Sequence, residues 1–288
     1  MDPQTVEILV TERVMPTSGG SVIRQDVAPF DEKETRRIVD QFNRDGYYFL
    51  EDVFTEEEVS ALRSAMDQKW EDPRIQGDEE GDHIRGFSMM RMYEYDTVFR
   101  DIVVREPIVS IAEAILGPDC HLMSQNCLRY EPGQGGGWHA DDRIHFPLPD
   151  NVPRHNPDIT VPCFVLNVLF PLSRADAIEY GVTQVIPGSH YSGRDPNDRE
   201  NPTFEDRESV SLFGKPGDAY LFHNQVWHRG SLNSSDQVRC VGSIVYSQRL
   251  IAQRFYPFID YRMPEHVWEG ADDRLQRLLG RHVKGAYG

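Results

Sequence analysis

The sequence predicts a single domain in which a mainly helical front half packs against a β-rich back half. Capped amphipathic segments occur within residues 31–117, whereas short runs rich in β-branched and aromatic residues, separated by Gly, Pro and Asn, fill residues 118–250. No internal repeat or linker divides the chain, and one β-rich domain can accommodate 288 residues. We expect residues 1–30 to form an N-terminal arm and residues 251–288 a C-terminal extension.

The helices of the front half are predicted from their end signals. A helix is expected over residues 31–45, because its apolar residues recur at helical spacing and Gly46 follows as a C-terminal stop. Thr55 and Glu58 form a capping box, which begins a second helix. A third, shorter helix is expected for residues 107–116.

A long polar loop separates the second helix from the third. Residues 71–91 carry glycines and are too long for a tight connection, so we expect them to form a mobile flap. From Cys120 onward the pattern changes to short β-runs. The predicted strands are HLMSQNCLRY (121–130), GWHADD (137–142), VPCFVLNVLF (161–170), TQVIPGS (183–189), DAYLFH (218–223) and VRCVGSIVYSQR (238–249).

Composition and charge exclude several classes of partner. The 30 basic and 47 acidic residues give a net charge of −17, which repels nucleic acids and anionic lipid headgroups. No apolar run approaches the roughly 18 residues that a membrane span needs, so no membrane association is expected. The four cysteines form no CxxC pair, which together with their apolar surroundings indicates a reducing, cytoplasmic location. The sequence does not indicate an oligomeric state.

The segment around residues 137–141 predicts a metal site. In a strand, side chains two positions apart point to the same face, so His139 and Asp141 can present an imidazole and a carboxylate to one ion. A third ligand is expected from His228, which follows the predicted strand 218–223. Two histidines and one carboxylate make the facial arrangement that holds non-haem iron(II) and leaves coordination positions open.

A buried cation is predicted close to this site. Arg239 lies eleven residues after His228, at the start of an apolar strand run. A guanidinium buried at the end of such a strand needs a planar carboxylate partner, which a dicarboxylate co-substrate supplies through a bidentate pair. The order of all these signals is more informative than any one of them, because an isolated HxD or His is common.

The order of these motifs resembles the phytanoyl-CoA dioxygenase (PhyH) family of iron(II)- and 2-oxoglutarate-dependent oxygenases. The resemblance covers about residues 35–250. It implies a mainly β fold with surrounding helices, in which residues 118–250 form a double-stranded β-helix (jelly roll, cupin-like) oxygenase core. The motifs that carry the resemblance are WHAD (138–141), VIPGSH (185–190), PGD (216–218), His228 and Arg239.

The resemblance also implies roles for individual residues. His139, Asp141 and His228 match the ligands of Fe(II), and Arg239 matches the arginine that pairs with the distal carboxylate of 2-oxoglutarate. Dioxygen is the remaining co-substrate of the family. No catalytic side chain is expected beyond the metal centre, because the cofactor supplies the oxidising power.

Further contacts are expected from residues around the metal. By strand alternation Gln125, Cys127 and Arg129 share one face, which we expect to look into the barrel. Arg129 and Asn167 align with family positions that contact 2-oxoglutarate. The candidate substrate contacts are Trp138, Phe146, Gln125 and Trp227. Ordinary packing at the core or the rim explains each of these four equally well.

The expected function is oxidation of an unactivated C–H bond in a small molecule, a natural product or an amino-acid-like compound, with release of succinate and carbon dioxide. Hydroxylation is the first expectation, and desaturation, cyclisation or epimerisation are alternatives that use the same cofactor chemistry. Asp141 favours hydroxylation over halogenation, because related halogenases have Ala or Gly at that position. Two other classes stay open: a cupin-like metal-dependent hydrolase or isomerase, with His145 as an extra ligand, and a non-catalytic binding module.

Overall fold

The structure is a computed structural model that describes residues 22–76, 83–255 and 258–282. The α-helices of these ranges are α1 (Glu32–Asp45), α2 (Glu56–Glu71), α3 (Pro73–Gln76), α4 (Met92–Tyr95), α5 (Thr97–Asp101), α6 (Ile108–Leu116), α7 (Glu265–Trp268) and α8 (Asp273–Leu278). The β-strands are β1 (Tyr47–Leu50), β2 (Ile84–Arg85), β3 (Ser88–Met90), β4 (His121–Tyr130), β5 (Val165–Pro171), β6 (Thr183–Val185), β7 (Val210–Ser211), β8 (Ala219–His223), β9 (His228–Gly230) and β10 (Arg239–Ser247).

The first two helices begin and end where their capping signals predict. Asp31 caps α1 by accepting the backbone N–H of Glu34, and Gly46 ends this helix in the left-handed conformation with a φ of 81°. Both hydrogen bonds of the Thr55–Glu58 capping box are present at the start of α2. The local capping signals therefore coincide with the observed starts of both helices.

Two antiparallel sheets form the core of the fold. The major sheet has the strand order β1-β8-β5-β10-β4-β3-β2, and the minor sheet has the order β7-β6-β9. One face of the major sheet packs on the helices, with Ile244 of β10 and Leu62 of α2 in the same hydrophobic cluster. The other face looks toward the minor sheet, since Arg239 of β10 donates a hydrogen bond to Thr183 of β6. The structure confirms the predicted double-stranded β-helix with helices packed outside it.

The predicted strand GWHADD (137–142) is not a regular strand. Instead, residues 133–139 run antiparallel beside β9 and extend the edge of the minor sheet through separate backbone hydrogen bonds. Gly136 donates to the Gly230 carbonyl at 2.8 Å, and His139 and His228 form an isolated bridge. A side chain at Gly135 would place its Cβ only 2.8 Å from the Leu232 Cα, so the close approach of these two backbone segments requires glycine at position 135.

The prediction that Gln125, Cys127 and Arg129 of β4 look into the barrel is wrong. The Gln125 amide donates to the Phe99 carbonyl of α5, Cys127 belongs to the cluster shared with the helices, and the Arg129 guanidinium lies over the Trp70 ring of α2. The alternate residues of β4 look inward, because Tyr130 pairs with Arg239 across the sheet. Alternation predicts which residues share a face, but the register with β10 decides which face that is.

The structure describes only part of the predicted flap and of the predicted N-terminal arm. Residues 1–21 and 77–82 lie outside the described residues. The last part of the predicted flap forms the β2–β3 hairpin at one edge of the major sheet, where the Phe87 ring stacks on Tyr130 with centroids 4.4 Å apart. Closure of a flap stays a prediction, and so does the organisation of all 288 residues as one domain.

The C-terminal extension packs back on the core. The backbone N–H of Arg254 donates to the Met123 carbonyl of β4, and Arg274 of α8 forms ion pairs with Glu106 and Glu113. Among the described helices, none is long and apolar enough to cross a membrane. All four cysteines are buried free thiols, and burial raises the pKa of Cys120 to about 11.

Candidate metal centre

Three side chains predicted as metal ligands come together at one edge of the minor sheet. The ligand atoms of His139, Asp141 and His228 all lie within 4.8 Å of one another. The Asp141 Oδ1 is 3.5 Å from Nε2 of His139 and 3.7 Å from Nε2 of His228. Across the part of the chain that the structure describes, no other group of three His, Cys, Asp or Glu side chains is as close. His145, the expected extra ligand of a cupin-type hydrolase, is not in this group.

Backbone carbonyls determine which nitrogen of each imidazole faces the site. Nδ1 of His139 is 2.8 Å from the Gly137 carbonyl, and Nδ1 of His228 is 2.9 Å from the Val226 carbonyl. A carbonyl oxygen only accepts, so each Nδ1 carries the proton and donates it. Both Nε2 lone pairs are therefore free and point toward the Asp141 carboxylate, as metal-binding histidines require.

The two oxygens of the Asp141 carboxylate have different partners. Oδ2 accepts a hydrogen bond from the Asn167 amide at 2.7 Å, whereas Oδ1 faces the two imidazoles. Burial raises the pKa of the Asp141 carboxyl, but His228, His139 and Asn167 lower it more, so the net pKa lies below its ordinary value. The arrangement favours an ionised carboxylate that offers one oxygen to a metal, which leaves further coordination positions open.

The two imidazoles experience opposite influences on their pKa. Without a metal, a protonated His139 can donate from Nε2 to the Asp141 carboxylate, which raises the pKa of His139, while burial lowers the pKa of His228. A metal ligand must be a neutral imidazole, and a bound cation favours that form at both positions. The donor set of two neutral nitrogens and one carboxylate oxygen fits a divalent iron ion.

Arg239 provides a buried positive charge on the interior wall. Its side chain is only 6% exposed, its Nη2 donates to Thr183 Oγ1 at 3.2 Å, and its guanidinium lies 4.9 Å from the Tyr130 ring centroid. Thr183 in turn shares a hydrogen bond of 2.8 Å with the Tyr220 hydroxyl. No carboxylate of the described residues forms an ion pair with Arg239. Because a buried charge without a partner is costly, the site is suited to an anionic ligand.

Sequence reasoning missed several polar residues of this wall. Asn126 and Ser243 stand opposite each other on β4 and β10, on the face that also carries Tyr130 and Arg239. Neither side chain has a hydrogen-bond partner among the described residues, and Asn126 is partly exposed. The register of β4 against β10 would have identified Asn126 in place of Arg129. That register cannot be read from the sequence of either strand alone.

The predicted substrate contacts occupy different places. Trp138 and Trp227 lie in a small hydrophobic cluster on the far side of the segments that carry His139 and His228, because adjacent residues of an extended segment point to opposite sides. Their indoles donate to backbone carbonyls within the protein. These two predictions are therefore wrong, as is that for Gln125, which faces the helices.

Phe146 is the only one of the four predicted substrate contacts whose side chain is exposed to solvent. Its side chain is 37% exposed, and its ring packs beside Phe164 with centroids 5.6 Å apart. Phe164 borders a small cluster of buried side chains that includes Val165 and Val245. Val245 stands opposite Asn167, which contacts the carboxylate of the metal site. A substrate role for Phe146 stays a prediction.

Comparison with known proteins gives a consistent result. Residues 42–241 match the family described as Phytanoyl-CoA dioxygenase (PhyH). Over 252 residues the chain is 29% identical to the ectoine dioxygenase of Nocardia farcinica, covering 77% of this chain and 76% of that protein. It is also 24% identical over 269 residues to dioxygenase swnH1 of Arthroderma benhamiae, covering 84% and 81% of the two chains.

Solved structures share the fold at lower sequence identity. The epimerase SnoN of nogalamycin biosynthesis, described as α-ketoglutarate dependent, has a TM-score of 0.58 at 20% identity, covering 76% of this chain and 82% of that chain. EctD from S. alaskensis, solved with 2-oxoglutarate and 5-hydroxyectoine, has a TM-score of 0.57 at 22% identity, covering 82% of each chain. HygX from Streptomyces hygroscopicus, solved with nickel and 2-oxoglutarate, has a TM-score of 0.56 at 16% identity, covering 76% and 88%.

Proposed function

The chain belongs to the phytanoyl-CoA dioxygenase family of non-haem iron, 2-oxoglutarate-dependent dioxygenases, and we propose that it hydroxylates an unactivated C–H bond of a small molecule. Its cofactors are Fe(II), 2-oxoglutarate and dioxygen. The observation that carries the proposal is the convergence of two Nε2 atoms and one carboxylate oxygen, together with a buried arginine that forms no ion pair with any described carboxylate. When bound, iron and 2-oxoglutarate couple the release of succinate and carbon dioxide to oxidation of the substrate.

Each residue of the site has a distinct proposed role. The iron is held on one face by His139, Asp141 and His228. Backbone carbonyls accept from the two imidazoles, and the Asn167 amide donates to the Asp141 carboxylate, so that all three ligands keep their orientation. Arg239 pairs with the distal carboxylate of 2-oxoglutarate, assisted by the Thr183 hydroxyl. The chain contributes placement of the reactants and exclusion of water, and needs no separate acid or base.

The substrate proposed is a natural product or an amino-acid-like compound. Similarity to ectoine dioxygenases supports a small substrate, and ectoine is the first compound to test. The presence of an epimerase and a carbocyclase among the similar structures keeps epimerisation and cyclisation as alternatives to hydroxylation. A cytoplasmic location is part of the proposal, supported by the four buried free thiols.

Anaerobic titration with Fe(II) and 2-oxoglutarate tests the proposed site. Chelation of iron by 2-oxoglutarate at a facial triad, which leaves coordination positions open, is expected to give a weak visible charge-transfer band. We expect the band in the wild type and in His266→Ala, whose imidazole lies on α7 away from the metal centre, and its loss in His139→Ala and Asp141→Ala. A wild-type protein that binds iron without this band would contradict the proposed roles of the triad and Arg239.

The reaction is then identified by product analysis. Candidate substrates are added aerobically to the iron-loaded protein, and succinate is measured beside the mass of the product. A gain of one oxygen atom supports hydroxylation, whereas an unchanged mass or a loss of two hydrogens supports epimerisation or desaturation. Compounds that yield succinate without any change in themselves are not substrates.

A further inference from the structure

The turn that carries Asp141 is held by a neighbouring segment that also carries a metal ligand. The backbone N–H of Asp141 donates to the Asn224 carbonyl at 2.8 Å, and the Asp141 carbonyl accepts from Nε2 of Gln225 at 2.7 Å. The other end of the same glutamine side chain, Oε1, accepts the backbone N–H of His145 at 2.8 Å. One buried amide thus spans the turn from residue 141 to residue 145.

This turn needs external support because of its backbone conformation. Asp142, the residue after the ligand, has a φ of 59°, which lies in the left-handed region. This conformation is uncommon for residues other than glycine, although aspartate adopts it more readily than most, and contacts with the surrounding structure help to maintain it. The Asp142 carboxylate forms an ion pair with Arg254 of the C-terminal extension, and the Asn224 amide lies 3.4 Å from it.

Gln225 is well suited to a holding role. Its side chain is only 5% exposed, and its amide uses a donor and an acceptor at the same time. An ionised glutamate cannot donate to the Asp141 carbonyl, and methionine can neither donate nor accept strongly. Gln225 also precedes His228 by three residues in the short connection between β8 and β9. A change at Gln225 therefore acts on the relative placement of two ligands.

We propose that Gln225 is a positioning residue, which holds the Asp141 carboxylate at a defined place relative to His228 and so determines the affinity of the site for iron. The inference rests on the proposed function only in taking the triad as the iron site. The Gln225 amide bonds to the backbone of Asp141 and His145, and it is not one of the three metal-binding side chains. The competing explanation is that Gln225 only fills buried space between two segments, in which case its loss would weaken the fold but not iron binding in particular.

A matched pair of glutamines separates the two explanations. Gln184 of β6 is 8% exposed, and its amide also uses both ends: it donates to Ser211 Oγ at 3.0 Å and accepts from Arg229 Nε at 2.7 Å. The variants are Gln225→Glu, Gln225→Met, Gln184→Glu and Gln184→Met. For each, the unfolding midpoint is measured without metal, and the affinity for Fe(II) is measured anaerobically by competition with a chelator.

The proposal predicts a loss confined to iron binding at Gln225. Residues that orient metal ligands typically contribute 10- to 100-fold in affinity, so both Gln225 variants should bind Fe(II) about 10- to 100-fold more weakly. Both Gln184 variants should bind Fe(II) like the wild type, because the Gln184 amide contacts Ser211 and Arg229 and not the turn that carries Asp141. The metal-free unfolding midpoints show how far each substitution weakens the fold itself. The visible band with 2-oxoglutarate should shift or weaken only in the Gln225 variants.

Several results would overturn the proposal. Gln225 variants that bind Fe(II) like the wild type, or Gln184 variants that lose as much affinity, would show that the amide does not position the ligand. Failure of both Gln225 variants to fold without metal would show a structural role. A wild-type protein that binds no Fe(II) would overturn the proposed function as well, and this outcome is recognised before any variant is made.

Discussion

His139 and His228 are directly opposed residues of an antiparallel pair. Each backbone N–H donates to the carbonyl of the other, at 3.0 and 2.9 Å, and the two ring centroids are 4.3 Å apart. The spacing of the two imidazoles is therefore determined by the hydrogen bonds between two backbone segments rather than by side-chain packing. The two ligands are 89 positions apart in the sequence, and one antiparallel residue pair brings them together.

The triple-glycine run gives a prediction with an internal control. A Cβ at Gly135 would lie 2.8 Å from the Leu232 Cα, whereas a Cβ at Gly137 meets nothing within 4 Å. Gly135→Ala must push the backbone that leads to His139 away from the segment that follows β9, with an expected cost of about 1–3 kcal/mol and weaker iron binding. Gly137→Ala should leave both quantities unchanged. Urea unfolding and Fe(II) titration check this, and equal behaviour of the two variants would contradict it.

Asn167 is predicted to maintain the geometry of the iron ligand. Its amide occupies Oδ2 of Asp141, so Asn167→Leu, which has a similar volume, frees this oxygen and lets the carboxylate rotate. We expect Fe(II) affinity to fall about 10- to 100-fold, as for other residues that orient metal ligands. Asn197→Leu, in an exposed loop, is the control. Unchanged affinity in Asn167→Leu would mean that Asp141 needs no support from this amide.

Arg239 is predicted to determine affinity for 2-oxoglutarate and not for iron. Loss of the buried partner of a carboxylate typically costs about 2–5 kcal/mol, so Arg239→Met should weaken 2-oxoglutarate binding by at least about 30-fold. Arg129→Met is the matched control, because Arg129 faces the helices on the neighbouring strand. Anaerobic titration of 2-oxoglutarate at saturating Fe(II) measures both. A large effect of Arg129→Met would restore the role first predicted for it.

Two buried histidines predict a loss of stability in acid. Burial lowers the pKa of His190 to about 4, and burial also lowers that of His223, whose ring centroid is 5.1 Å away. The pKa of an unfolded histidine is about 6.5, so below that pH the unfolded chain takes up a proton that folded His190 does not. The free energy of unfolding is therefore unaffected by His190 above about pH 6.5 and falls between about pH 6.5 and 4.

The size of this effect can be isolated with one variant. A pKa difference of this size corresponds to about 3 kcal/mol for His190 by pH 4, at about 1.4 kcal/mol per pH unit. We expect the free energy of unfolding of metal-free His190→Gln to depend less steeply on pH than that of the wild type. Urea unfolding of both proteins between pH 4 and 8 measures the slopes. Parallel slopes would show that His190 has the same pKa in the folded and the unfolded protein.

Local signals in the sequence were sufficient for much of the architecture. The capping residues Asp31 and Thr55 mark the first turns of α1 and α2, and the predicted strand 121–130 coincides with β4. These features depend on residues a few positions apart, so they do not require knowledge of the fold. The motif order likewise predicted the family, which the match over residues 42–241 confirms.

The direction of side chains depended on contacts between distant segments. Alternation along β4 grouped Gln125 with Arg129 correctly, but the pairing of Tyr130 with Arg239 turns that group toward the helices. Likewise, the HxD spacing predicted that His139 and Asp141 point to the same side. Their segment is not a regular strand, however: it is held in place by the bridge to His228 of β9 and by the hydrogen bond from Gln225. The alternation of side chains along a strand is a property of that segment alone. Which set of alternate side chains faces the core is decided by the register with the partner strand, and that register exists only once the fold has brought the two strands together.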